Sequence, residues 1–140
     1  ERLSSPAVLT PHPGEMARLT GESTTAVQED RVRVATERAT KWGKTVVLKG
    51  AYTVVASPSG HAMLSPYANP GLASAGTGDV LAGTIAGLLS QGLGLEDGAA
   101  LGVYVHGRAG EMVRDELGDT GMLASDLLPA LPRAIKDLKD

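Results

Sequence analysis

The sequence predicts an α/β layer fold, on three observations. Two short apolar runs, Ala7-Val8-Leu9-Thr10 and Thr45-Val46-Val47-Leu48, lack polar alternation and read as strands covered on both faces. Long segments between and after them carry apolar residues at helical spacing. A glycine-rich stretch at 69–79 runs straight into one of those helices, in the place where layered folds gather ligands beyond their strand ends.

The first strand is cut by Pro11-His12-Pro13-Gly14, because proline removes a donor and fixes φ. A short helix over 15–19 follows, closed by Gly21. Thr24 or Thr25 can cap a longer helix reaching Trp42 and ended by Gly43. Its inner face is Val27, Val34, Ala35 and Trp42; its wet face is Arg31, Arg33, Glu37, Arg38 and Lys41. The second strand, 45–48, stops at Lys49-Gly50. A third covers 52–56, Ser57-Pro58-Ser59-Gly60 reverses it, and 61–64 returns as a hairpin arm.

After the glycine stretch, Leu81, Ile85, Leu88 and Leu89 share one helical face. Gly83 and Gly87 are four apart and are expected to let that helix approach a neighbour closely. A second long helix over 96–117 has Glu96 and Asp97 at its positive end, and Leu101, Val105, Met112 and Val113 on its apolar face. A turn over 118–122 follows. Ser125 or Asp126 can start a last helix, with Pro129 and Pro132 limiting where its regular part begins. No repeat or low-complexity linker interrupts the chain.

Composition narrows the function classes. Hydrophobic residues make up 42% of 140 positions, enough for a packed core and too many for a disordered chain. A net charge of −3 does not favour broad binding to nucleic acid, and aromatics at 3% give little surface for stacking single-stranded bases. Cysteine is absent, which excludes disulfides and thiolate-held metals and suits a cytoplasmic protein. No secretory signal is visible. The apolar uncharged run 80–95 is shorter than the ~20 residues of a membrane span.

The candidates for chemistry fall in three loops expected beyond the strand ends: 10–15, 49–53 and 69–79. In Gly76-Thr77-Gly78-Asp79 the glycines let a phosphate approach the main chain. The helix behind them aims free amides and its positive end at the same point. Asp79 is the one carboxylate of that stretch, placed to take a proton from a hydroxyl while the loop holds phosphoryl charge. The plainer alternative is an N-cap, with Thr77 or Asp79 satisfying the first amides. Lys49 can meet a phosphate as a point charge where Gly50 permits close approach, or can snorkel to water from a strand end. His12, stiff between two prolines, can bond a substrate amide or phosphate, or can be a turn residue without a ligand. His61 and His106 read as structural, and the histidine spacing makes no metal site. Ser74 lacks the elbow of a nucleophilic serine.

The stretch 69–92, NPGLASAGTGDVLAGTIAGLLSQG, closely resembles the C-terminal signature of the ADP/ATP-dependent NAD(P)H-hydrate dehydratases, a family of the ribokinase-like superfamily. VLTPHPGEMARLTG and VVLKGAYTVVASPSG resemble two further stretches of that family, in the same order. The glycine–aspartate loop by itself marks the superfamily; His-Pro-Gly-Glu narrows it to the dehydratases.

The resemblance implies a ribokinase-like three-layer α/β/α sandwich, of which residues 1–140 would be the C-terminal half. It implies repair of hydrated NAD(P)H: ADP or ATP phosphorylates the hydroxyl added to the nicotinamide ring, and loss of phosphate restores NAD(P)H. Hydroxide leaves poorly and phosphate well, so positioning and anion stabilisation carry most of the catalysis. By motif position Asp79 is implied as the base and a contact to the hydrated nicotinamide. Gly76, Thr77 and Gly78 are implied as an anion hole, and Gly78 also as a nucleotide contact. Lys49, Gly50, Ala51, Tyr52 and Thr53 are implied as nucleotide contacts, and His12 as a contact to the hydrated dinucleotide. Mg²⁺ is implied by phosphoryl transfer, although no ligand set for it is legible.

Family members carry further strands N-terminal to this region, so the sheet is expected to expose an edge. A homo-oligomer or an N-terminal half would cover it. Two alternatives stay open: a kinase of the same superfamily acting on a vitamin precursor or sugar hydroxyl, and an inactive nucleotide-binding half-domain.

Overall fold

The computed structural model describes residues 3–118 and 120–138. Among them, four strands form one sheet in the order β1-β2-β3-β4. β1 (Val8–Leu9) runs parallel to β2 (Thr45–Leu48), with Val8 opposite Thr45. β3 (Val54–Ala56) and β4 (Ala62–Leu64) add on antiparallel, with Val47 opposite Val55 and Val55 opposite Met63.

Alternation along the strands sends side chains to two faces. Val46, Leu48, Val54 and Ala56 pack with Met16, Val27, Val34, Ala35 and Ala39 of the helices α1 (Pro13–Thr20), α2 (Thr24–Glu29) and α3 (Arg31–Trp42). Val47 and Val55 pack on the opposite side with Leu81 and Ile85 of α4 (Thr77–Ser90) and Ala99 and Val103 of α5 (Leu95–Leu117). A last helix, α6 (Ala124–Asp137), lies on the outer side of α5 through Leu127, Ala130 and Ala134. The result is a helix–sheet–helix sandwich. No described helix is long and apolar enough to cross a membrane.

Several elements depart from the sequence expectations. The helix expected from Thr24 to Trp42 is two helices. Asp30 breaks it at φ −145° and ψ 73°, and its Oδ1 caps the second by accepting from Arg33 N at 3.0 Å. The break brings Arg31 and Arg38 off the wet face: both are half-buried, and Arg38 donates to Glu22. The third strand starts at Val54, not at 52, because Tyr52 sits in the left-handed region at φ 53° and donates its amide to the Tyr67 carbonyl. The last helix runs from Ala124 through both prolines. These face solvent, while the buried face holds the helix on α5. The turn expected over 118–122 includes Asp119, which lies outside the described residues.

The glycines that allow close packing are also not the expected ones. A Cβ on Gly83 or Gly87 would meet nothing within 4 Å. On α5, a Cβ on Gly102 would lie 2.6 Å from Ile85 Cγ1 and 3.3 Å from its Cα, and one on Gly107 would collide with Tyr67 Cδ2 and Cγ. The long helix, rather than α4, carries the small residues at the contact. Among the described residues β1 has β2 as its only strand partner, and a groove of about 530 Å³ beside Val8, Leu9 and Leu19 follows that open edge.

Candidate active site

β1, β2 and β4 all end on the same side of the sheet, and the loops that follow them meet loop 69–79 around a cavity of about 630 Å³. All three loops expected from the sequence therefore converge. His12, Lys49, Gly50 and Thr77 line the cavity, as do Ala51, Thr53 and Gly78. Leu81 and Val103, both buried, form part of its apolar wall. Tyr52, Gly76 and Asp79 do not line it. Tyr52 is 54% exposed. Gly76 is the N-cap of α4 at φ 85°. Asp79 is exposed on the first turn of α4, one residue beyond Gly78, and its carboxylate makes no hydrogen bond or ion pair among the described residues.

The site is built around the start of α4. A Cβ on Gly78 would lie 3.1 Å from Lys49 Nζ, so the ammonium rests directly on that helical turn. Both the ammonium and the helix N-terminus are positive. Glu15 Oε2, 3.8 Å from Nζ, is the nearby acid. The Glu15 carboxyl is held below its ordinary value chiefly by the amide of His12, which donates to it at 2.7 Å, and also by Lys49. Glu15 is thus tied into the cap of α1 and neutralises Lys49 only in part.

The amides at this turn are fewer than an open anion hole would offer. Thr77 N reaches Ser74 O at 3.3 Å, and Asp79 N and Val80 N share Gly76 O. Gly78 N makes no hydrogen bond among the described residues. The Thr77 hydroxyl is spent on the carbonyls of Leu72 and Ser74 at 2.6 and 2.8 Å, where it braces the loop. His106 reinforces it: Nε2 lies 2.9 Å from the Thr77 carbonyl, and burial pushes the imidazole below its ordinary pKa, an effect that bond opposes. A neutral ring with its proton on Nε2 fits that contact. The structural reading of His106 therefore gains a specific content, since it fixes the first turn of α4 from within the cavity wall.

His12 caps α1. Its Nδ1 accepts from Gly14 N at 3.1 Å and Glu15 N at 3.3 Å, which leaves the proton on Nε2. Gly14 carries no Cβ, and one there would come within 3.0 Å of the ring. His61 sits on the exposed hairpin turn, away from the cavity.

Two wall residues were not among the expected site residues. Asn69 is 7% exposed; its Oδ1 accepts from Gly71 N at 2.9 Å, and its Nδ2 is buried without a partner. Tyr67 packs against Tyr104 with ring centroids 5.5 Å apart, and burial with that neighbour raises its hydroxyl pKa to about 12. Asn69 lies inside the stretch that carries the glycine loop, beside Pro70-Gly71, so a turn-capping asparagine was legible there. Nothing in the sequence marks Tyr67.

The sandwich, with a glycine-capped helix meeting a strand-end lysine at the carboxyl side of the sheet, is that of a ribokinase-like domain in part. A ribokinase-like superfamily protein of Enterococcus faecalis aligns with a TM-score of 0.80 at 32% identity, covering 98% of this chain and 47% of that one. The chain belongs to the NAD(P)H-hydrate dehydratase family, whose profile matches residues 1–133. The bifunctional NAD(P)H-hydrate repair enzyme Nnr of Moorella thermoacetica is 50% identical over 96% of this chain and 26% of its own length. The ADP-dependent (S)-NAD(P)H-hydrate dehydratase of Neisseria meningitidis is 43% identical over 88% of this chain and 42% of its own. The ADP/ATP-dependent NAD(P)H-hydrate dehydratase of Bacillus subtilis, co-crystallized with ATP/Mg²⁺, aligns with a TM-score of 0.90 at 40% identity, over 94% of this chain and 48% of that one. This chain therefore spans about half the length of the solved structures it matches, and less of the curated relatives.

Proposed function

We propose that the chain carries the nucleotide-holding part of an enzyme that dehydrates NAD(P)H hydrates at the expense of ADP or ATP. The single observation that carries this reading is the stacking of Lys49 Nζ on Gly78 at the N-terminus of α4, within the cavity wall. Two positive groups converge there with one free amide and only a shared carboxylate to balance them. A phosphoryl group satisfies all three.

On this reading the nucleotide lies along loop 49–53 against Leu81 and Val103, with its terminal phosphoryl group at Gly78. The hydrated nicotinamide approaches from the open side, where Asp79 is exposed and His12 Nε2–H can donate. Asp79 takes the proton of the ring hydroxyl as its oxygen attacks phosphorus and the bond to the AMP or ADP leaving group breaks. Lys49 and Gly78 N hold the charge that spreads over the phosphoryl oxygens. Cleavage of the ring C–O bond, with loss of a proton from the neighbouring ring carbon to solvent, then releases phosphate and restores the double bond of the dihydronicotinamide. Among the described residues no three His, Asp or Glu side chains cluster as a metal site. Mg²⁺ would enter with the nucleotide phosphates, whose charge it would offset. The open β1 edge supports completion of the sheet by an N-terminal half or a second copy, in a cytoplasmic protein that meets neither membrane nor nucleic acid.

The test is incubation of the intact protein with NADH or NADPH hydrate and either nucleotide. The expected result is recovery of reduced-nicotinamide absorbance matched by phosphate release, and none without nucleotide. A stable phosphate ester with no gain in absorbance would assign it to the superfamily's kinases. Nucleotide binding without either product would leave a binding module.

A further inference from the structure

Arg31 is a half-buried cation that no carboxylate balances among the described residues. Asp30, beside it, is committed to Arg33, whose amide it accepts at 3.0 Å and whose Nε lies 3.6 Å away. Glu22 is taken by Arg38 and reached by Arg33. Arg31 Nε is buried with no partner. The guanidinium instead lies on loop 49–53. Nη2 donates to the Tyr52 carbonyl at 3.0 Å, and a Cβ on Gly50 would be 3.0 Å from Nη1 and 3.1 Å from Cζ. Gly50 at φ 141° and Tyr52 at φ 53° are the two unusual backbone conformations of that loop. Burial also costs this charge some of its proton affinity, and it sits at the positive end of α3. An arginine in so costly a place has to be explained by what it holds.

We infer that Arg31 is a positioning residue for nucleotide: its planar fork clamps the back of loop 49–53 and fixes the Gly50–Tyr52 turn that presents Ala51, Thr53 and Lys49 to the cavity. Arg31 does not line the cavity, so it acts through the loop and touches no reactant. Gly50 is then required twice, by its positive φ and by the guanidinium that stands against the place of a Cβ. Thr53 Oγ1, which donates to the Gly50 carbonyl at 2.9 Å, closes the turn from inside. The break of α2 from α3 at Asp30 is what aims the first residue of α3 at this loop. Arg31 has this role only if loop 49–53 holds nucleotide, as proposed above.

The experiment compares ADP and ATP binding by calorimetry, and nucleotide KM against kcat, for the intact wild type, Arg31→Met, Arg31→Lys and Lys49→Ala. Arg31→Met keeps the apolar stem and removes the fork. It is expected to weaken nucleotide binding about tenfold, with kcat and hydrate KM nearly unchanged, since misplacing a positioning loop is felt mainly by what the loop holds. Arg31→Lys restores the charge without the planar fork and is expected to recover little. A role confined to stability would lower the melting temperature and affect both substrates together. Wild-type nucleotide affinity in Arg31→Met, or in Arg31→Lys should the methionine variant not fold, overturns the clamp while a weakened Lys49→Ala leaves the site reading standing. Equal nucleotide binding by wild type and Lys49→Ala, or none by the wild type, overturns the site reading and the clamp with it.

Discussion

Two glycine-rich regions lie side by side in this molecule and do opposite work. On α5, Gly98, Gly102, Gly107 and Gly110 each stand where a Cβ would enter a neighbouring side chain: Leu89, Ile85, Tyr67 and Leu72. Their missing methyl groups are filled by protein, and they set how closely α4 and loop 67–72 approach. At the start of α4, Gly78 stands where the chain meets a cavity, and the group nearest it is a lysine ammonium. Glycine spacing alone does not separate these cases. Gly83 and Gly87 show it from a third side: they have the spacing of a helix contact and face open space. What a glycine is for is decided by what lies where its Cβ would be.

The largest expected effect concerns the only carboxylate of the α4 turn. Asp79→Asn in the intact protein should reduce turnover about 10²- to 10⁴-fold, the usual worth of a general base, with nucleotide binding retained. Unchanged turnover would remove Asp79 from the chemistry and leave the turn as an anion holder only. Next is Lys49→Ala, expected to weaken nucleotide binding about 10- to 100-fold, as loss of a charge-assisted bond does. Gly78→Ala should act on the same quantity more weakly by pushing the flexible ammonium aside, without lowering the melting temperature. Gly107→Ala should do the reverse, destabilising the fold by about 1–3 kcal/mol because the Tyr67 ring has to move. Equal melting temperatures for the Gly78 and Gly107 variants would break the contrast between the two regions. Gly83→Ala closes the series: with nothing to clash against, it should stabilise α4 by about 0.5–1 kcal/mol through the unfolded chain's entropy.

His106 joins the two regions and gives the contrast a pH signature. Its folded pKa lies below the ordinary 6.5 because it is buried. As pH falls below about 6.5 the unfolded chain takes up this proton before the folded one does. The stability contributed by neutral His106 is therefore whole above that pH and is lost as pH drops through the lower folded value. His106→Gln keeps a donor for the Thr77 carbonyl and removes the titration. Its unfolding free energy should fall less steeply than that of the wild type below that pH, as urea melts at a series of pH values would show.

Most of the layer order was legible because it depends on local pattern. Unbroken apolar runs at 45–48 marked a strand covered on both faces, and Leu81 with Ile85 marked the face that α4 buries. Proline and glycine placed the loops. The misreadings have a common cause. Asp30 interrupts a helix whose periodicity continues across it, and Pro129 and Pro132 sit inside a helix that packing on α5 sustains. In each, a long-range contact or a side-chain cap outweighed what neighbouring residues favour. Tyr67 and the loop contact of Arg31 escaped notice for the same reason: Tyr104 and Tyr52, their partners, are distant in sequence.

The sequence by itself determined which residues carry charge and reactivity, where the chain must turn, and, through three motif stretches, the family. Hydrophobic period, proline and glycine act over a few residues and can be read directly from the letters. Only the tertiary structure decided that Lys49 rests on Gly78, that Asp79 is exposed beside the cavity and not within it, and which glycines touch a neighbour. Those facts depend on loops that close over dozens of residues, and a single side chain such as Asp30 redirects them without altering the pattern around it.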